Sequence, residues 1–143
     1  MGANRNVGAE FDFSGKHILL VEDHPINIFI QQWLLEDVGC QVTVATDGKQ
    51  GVEQFNAAQD GYFDAILMDI NMPVMDGWTA AEQIRSSTQP HAGKIPIIAL
   101  TTNGYREDIN HSMEVGMNEH LVKPLNPDAL FRCLAKYLDA QSA

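Results

Sequence analysis

HILLVEDHPINIFIQQWLLEDVGCQVTVA (residues 17–45) holds a complete strand–helix–strand unit, and its reading sets the fold of the whole chain. HILLV (17–21) is a short, almost continuous apolar run, the length and composition of a strand covered on both faces. Ile26, Phe29, Ile30, Trp33, Leu34 and Val38 then recur at steps of three and four, which is the spacing of one helix face. Gly39 stands where the helix C-terminus wants a residue free to take positive φ. QVTVA (41–45) alternates apolar and polar, as a half-exposed edge strand does. The same alternation continues through DAILM (64–68), PIIAL (96–100) and EHLV (119–122), which read as further strands covered on both faces. Between them, a helix begins near Asp47 and carries Val52 and Phe55, and Asp76 opens another with Trp78, Ala81 and Ile84. A fourth helix runs from Arg106 to Val115 and closes at Gly116. The fifth follows Asn126 as N-cap and Pro127 in the first turn, reaching about Ala140 with Leu130, Leu134, Tyr137 and Leu138 inward. Five β-α units in succession predict an α/β domain: a parallel sheet with helices on both faces and right-handed crossovers.

Composition narrows the function classes. Of 143 residues 45% are hydrophobic, enough for a real core and too many for intrinsic disorder. Nine Lys and Arg against 19 Asp and Glu give a net charge of −10, which opposes any non-specific hold on nucleic acid or on anionic lipid heads. Cys40 and Cys133 show no metal or redox spacing and read as small buried hydrophobes of a reducing compartment. No apolar run approaches a membrane span, and Met1–Glu10 lacks a signal-peptide pattern, so a cytoplasmic location is expected. Residues 1–14, rich in Gly, Asn and Ala, read as a linker, residues 15–140 as one domain and 141–143 as a tail.

In an open parallel α/β sheet, ligands bind beyond the carboxyl ends of the strands. After HILLV come Glu22 and Asp23; after DAILM comes Asp69; after PIIAL come Thr101 and Thr102; after EHLV come Lys123 and Pro124. Taken singly, each is an ordinary turn former or helix cap, and Asp23 before His24-Pro25 reads equally well as a cap. As a set they bring three carboxylates to one rim, where like charges repel unless a cation neutralises them. Oxygen ligands and a small carboxylate count favour Mg²⁺. Lys123 and the threonine hydroxyls suit phosphoryl oxygens. The chain has no glycine-rich phosphate cradle, so a phosphoryl group carried on the protein fits better than a bound nucleotide, with Asp69 placed as the nucleophile. His24 reads as a surface or cap residue, Met68 as strand core, Met72 and Met75 as loop contacts, and STQPHAGK (87–94), with His91, as a solvated connection.

LLVEDHPIN (19–27), LMDINMPVMDG (67–77), IIALTTN (97–103) and HLVKPL (120–125), in this order and spacing, resemble the receiver domains of two-component response regulators over nearly all of residues 16–139. The resemblance implies a flavodoxin-like (βα)5 doubly wound fold with strand order 2-1-3-4-5. It makes Asp69 the phosphoacceptor for a histidine kinase or histidine phosphotransfer domain. Mg²⁺ is then held by Asp23, Asp69 and the backbone carbonyl of Asn71, with Glu22 acting through water. Lys123 and Thr101, with the backbone N–H of Thr102, engage the phosphoryl oxygens, and Lys123–Pro124 is a candidate cis peptide. His120 occupies the place of the family's rotating aromatic and is a candidate switch residue. Asn71, two positions after the phosphoacceptor, is expected to influence phosphoryl lifetime.

The segment FDFSGKHILLVEDHPIN resembles that leading into receivers fused behind a kinase core, which favours the receiver of a hybrid histidine kinase over a stand-alone regulator. That parent places the domain on the cytoplasmic side of a membrane-bound sensor. The expected output is a change in the face made by the fourth helix, fifth strand and fifth helix, and the only chemistry expected is the domain's own phosphorylation and dephosphorylation. Two rivals fit less well. A haloacid-dehalogenase-type phosphatase places its DxDx[TV] signature after the first strand and carries a cap, whereas Asp69-Ile70-Asn71 follows the third. A flavodoxin-type FMN carrier needs a hydroxyl-rich loop where Glu22 and Asp23 stand.

Overall fold

The computed structural model describes residues 11–139. Strands and helices alternate as β1 (His17–Val21), α1 (Pro25–Asp37), β2 (Gln41–Ala45), α2 (Gly48–Ala57), β3 (Ala65–Asp69), α3 (Gly77–Arg85), β4 (Ile97–Thr101), α4 (Arg106–Glu114), β5 (Glu119–Val122) and α5 (Pro127–Leu134), the last continuing as a π-helical turn to Asp139. All pairings are parallel and the order is β2-β1-β3-β4-β5, the flavodoxin-like arrangement. Period-two alternation divides the sheet between two cores. Leu19, Val21, Ile66, Met68, Ile97 and Ala99 face α2 and α3 through Phe55, Ala80, Ala81 and Ile84. Ile18, Leu20, Leu67, Ile98 and Leu100 face α1 and α5 through Leu34, Leu35, Leu130, Phe131 and Leu134. Asp47, Asp76 and Asn126 cap α2, α3 and α5 with their side chains, and Gly39 takes φ +98° just beyond α1.

The structure corrects several expectations. The inward face of α1 is Gln31, Leu34, Leu35 and Val38. Ile26 (63% exposed), Phe29 (74%) and Trp33 (60%), expected to point inward, project into solvent with Ile30. The helix carries two overlapping apolar rows, and periodicity cannot choose between them: the sheet takes the row nearer the C-terminus. β3 and β4 run one residue further than their apolar runs, so Asp69 pairs with Leu100 and Thr101 with Val122 inside the ladder, because backbone pairing is indifferent to the side chain that ends it. β5 is the second edge strand and only partly buried, not covered on both faces. The connection at residues 87–94 holds a 3-10 turn (Pro90–Gly93) with Ala92 buried, rather than a wholly solvated loop. Within the stretch read as linker, Phe13 is buried in the α1–α5 core, its N–H donates to Val38 O at 2.7 Å, and Phe11 meets the Phe131 ring at 5.5 Å. The tail at 141–143, like residues 1–10, lies outside the described residues.

Candidate functional site

Because every strand runs the same way, their carboxyl ends share one rim. β1 delivers Glu22 and Asp23; the adjacent β3 delivers Asp69 as its last residue; β4 delivers Thr101; and Lys123 follows β5 from the far side. One oxygen from each of Glu22, Asp23 and Asp69 lies within 4.8 Å of the others. Glu22 is fully buried and Asp69 nearly so, while Asp23 is half-buried. Lys123 Nζ donates to Glu22 Oε1 at 3.0 Å and stands 3.3 Å from Asp69 Oδ2. Asp69 Oδ1 accepts from Asn71 N–H at 3.1 Å, and Glu22 Oε2 accepts from His24 N–H at 3.2 Å. The start of α3 is pressed against this site, since a Cβ at Gly77 would collide with the Asp69 carbonyl oxygen.

A single ammonium therefore serves two buried carboxylates with a third alongside. Burial, and then the Glu22 charge, push the Asp69 carboxyl up to about 7, against the Asn71 N–H and Lys123, which pull it down. Three crowded oxygen donors with too little positive charge fit a small hard cation, and Mg²⁺ meets that donor set. Asp23 does not act as the cap of α1; His24 occupies that position, without a side-chain cap bond, and Pro25 follows in the first turn.

The site opens to solvent through a cleft of about 260 Å³ lined by Asp23, Asn27, Asp69, Asn71, Thr102 and Lys123 among others. Thr101 is not in that lining. It is fully buried, and its Oγ1 accepts from Asn103 N–H at 3.1 Å. The Lys123–Pro124 peptide is cis.

Residues 18–135 match the family model for the response regulator receiver domain. The chain belongs to that family. It is 35% identical to the sensor protein GacS of Pseudomonas syringae pv. syringae over 133 residues, which cover 92% of this chain and 14% of GacS. The receiver domain of the sensor histidine kinase PA1611 from Pseudomonas aeruginosa, solved with a magnesium ion coordinated in its active site cleft, superposes with a TM-score of 0.79 at 37% identity, covering 88% of this chain and 99% of that one. The receiver domain of the Saccharomyces cerevisiae response regulator Ssk1, solved in complex with the histidine phosphotransfer protein Ypd1, is also similar. Its TM-score is 0.80 at 27% identity, covering 92% of this chain and 94% of that one. The receiver thus spans only a small part of its longer curated relatives, which include hybrid histidine kinases.

Of the remaining sequence candidates, His120 lies outside the cleft. It sits on β5 opposite Ala99, with Nε2 buried and without a hydrogen-bond partner. Burial pushes its pKa down, and Asp108 on α4 opposes that shift. Met68 is buried in β3, and Met72 and Met75 pack at the edge of the α2–α3 core. Cys40 and Cys133 are buried free thiols.

Two features of the receiver were not legible beforehand, and both come from the phase of α1. Gln31 turns inward and its Nε2 donates to Glu22 Oε1 at 3.4 Å. The apolar row Ile26, Phe29, Ile30 and Trp33 lies outward, and Ile30 shares a dimple of about 70 Å³ with Asn27, Gln31, Lys123, Pro124 and Leu125, of which Asn27 and Lys123 also line the cleft.

Proposed function

We propose that this receiver is the phosphoacceptor of a phosphorelay, taking a phosphoryl group from a phosphohistidine onto Asp69. The observation that carries the reading is the arrangement of Asp69 between Asp23, Glu22 and Lys123 at the mouth of one cleft. A carboxylate oxygen of Asp69 attacks phosphorus in line, the O–P bond forms, the N–P bond to the donor imidazole breaks, and its electron pair stays on the imidazole nitrogen. Asp23, Asp69 and the Asn71 carbonyl, with Glu22 acting through water, would hold Mg²⁺, which would supply the positive charge needed for three carboxylates to share the cleft with a phosphoryl group. Lys123 turns from its carboxylate partners to a phosphoryl oxygen, and the Thr102 N–H donates to another.

Thr101 Oγ1, engaged with Asn103 N–H in this state, rotates to donate to the new oxygens. That movement draws the loop at 102–105 with it and shifts the face made by α4, β5 and α5, where His120 lies under α4. A few charge-assisted hydrogen bonds supply the few kcal/mol that such a two-state bias requires. The partner is a histidine kinase or a histidine phosphotransfer domain, docking over the outward apolar row of α1 that flanks the cleft. The parent is a hybrid histidine kinase whose receiver is cytoplasmic, and the domain's only chemistry is its own phosphorylation and dephosphorylation.

Incubation with acetyl phosphate and Mg²⁺ followed by intact-mass measurement tests this reading. A single phosphoryl adduct is expected, blocked by EDTA and absent from Asp69→Asn; an adduct that persists in Asp69→Asn would overturn it.

A further inference from the structure

Gln31 occupies a position where the packing asks for an apolar side chain. It shares the inward face of α1 with Leu34, Leu35 and Val38, is 3% exposed, and has an Oε1 that is buried without a hydrogen-bond partner. An amide buried with one end unsatisfied is unfavourable for the fold, so the contact made by its other end is of interest. Nε2 donates to Glu22 Oε1 at 3.4 Å, and the same oxygen accepts from Lys123 Nζ at 3.0 Å. The reversed amide would set two oxygens against each other, which fixes the orientation.

Glu22 is fully buried and has three donors: Lys123 and Gln31 on Oε1, and the His24 N–H on Oε2. Lys123 is shared with Asp69, 3.3 Å away. Any turn of the lysine toward a group on Asp69 weakens its hold on Glu22. Without Gln31, the buried carboxylate would then keep only a main-chain N–H among its protein donors, beside any water on a bound Mg²⁺.

We propose that Gln31 is a positioning residue for the phosphoryl chemistry of this site: its amide stays on Glu22 while Lys123 moves to the phosphoryl oxygens, so the lysine can leave without stranding a buried charge. The inference rests on Asp69 being the phosphoacceptor. Gln31 touches neither Asp69 nor the incoming group and acts through Glu22 and Lys123.

The test uses the full chain with Mg²⁺ and beryllofluoride, a phosphoryl mimic, titrated by calorimetry against wild type and Gln31→Met, which keeps the volume and removes the donor. Half-saturation is expected at roughly tenfold higher beryllofluoride in Gln31→Met, as loss of a hydrogen bond to a charged group implies. Its urea midpoint in EDTA is expected to be equal or higher, because the unsatisfied Oε1 is gone as well. A merely structural glutamine gives the opposite result, a lower midpoint with unchanged half-saturation, and that outcome overturns the proposal. A wild-type measurement covers a variant that fails to fold: the Gln31 side-chain amide protons are expected to shift on saturation with beryllofluoride, and unmoved signals overturn the proposal. Wild type that binds no beryllofluoride overturns the phosphoacceptor reading itself, and this inference with it.

Discussion

At Asp69, burial and the neighbouring Glu22 act together to favour the uncharged acid, and the sign of this effect is measurable. The folded carboxyl titrates near 7 and the unfolded one near its ordinary 3.8, so the folded state holds more protons across that window. Stability therefore declines as pH rises through it. In EDTA at about pH 8, Asp69→Asn is expected to be more stable than wild type by roughly 1–3 kcal/mol and to show a flatter pH dependence, both read from urea unfolding. Saturating Mg²⁺ is expected to reverse the ranking, because asparagine would remove one of the carboxylates proposed to hold the ion. Equal stability of the two proteins in EDTA at every pH would sink this account. The acids themselves were visible in the sequence because polar residues interrupting apolar strand runs mark the carboxyl rim. Gln31 was not, because a glutamine inside an amphipathic helix reads as solvent-facing until the helix is docked and its rotation fixed.

The two apolar rows of α1 make opposite predictions for stability and for transfer. Leu35 is fully buried between α1 and the sheet, and Leu35→Ala is expected to cost about 2–5 kcal/mol, with no special effect on labelling by acetyl phosphate when folded. Phe29→Ser and Trp33→Gln alter side chains that are 74% and 60% exposed, so they are expected to change stability by no more than about 0.5 kcal/mol. Both should instead slow transfer from a phosphohistidine-bearing protein about tenfold or more, as loss of large apolar contacts at an interface implies. Labelling by acetyl phosphate, which needs no docking surface, should be unchanged. If transfer from the protein donor survives both substitutions, the docking face lies elsewhere. Spacing located α1 and Gly39 marked its carboxyl end, but its rotation depends on which row the sheet accepts. That choice is made with β3 and α5, distant in sequence, as well as with the adjoining β1, and so lies beyond any local pattern.

For the molecule as a whole, the alternation of five strands and helices was enough to give the sheet, while the amino-terminal boundary needed long-range packing. FDFS (11–14) carries no period of its own, yet Phe13 fills the core between α1 and α5, and Phe11 stacks on Phe13 and meets Phe131 at a tilt. The glycine of the α1–β2 turn, Gly39, leaves room for Ser14 at this point: a Cβ there would lie 2.8 Å from the Ser14 hydroxyl and 2.9 Å from its nitrogen. The segment at residues 11–14 leading into β1 thus packs as part of the folded unit. A chain trimmed to begin at Gly15 loses the buried Phe13 ring and its N–H bond to Val38 O, and is expected to be less stable by about 3–5 kcal/mol, the range for Phe→Ala in a core. A chain beginning at Phe11 keeps both and should unfold within about 0.5 kcal/mol of the full chain. Urea denaturation of the three lengths separates the cases: equal midpoints for the chains beginning at Phe11 and Gly15 would return the boundary to Gly15 and leave the Phe13 contacts without energetic weight.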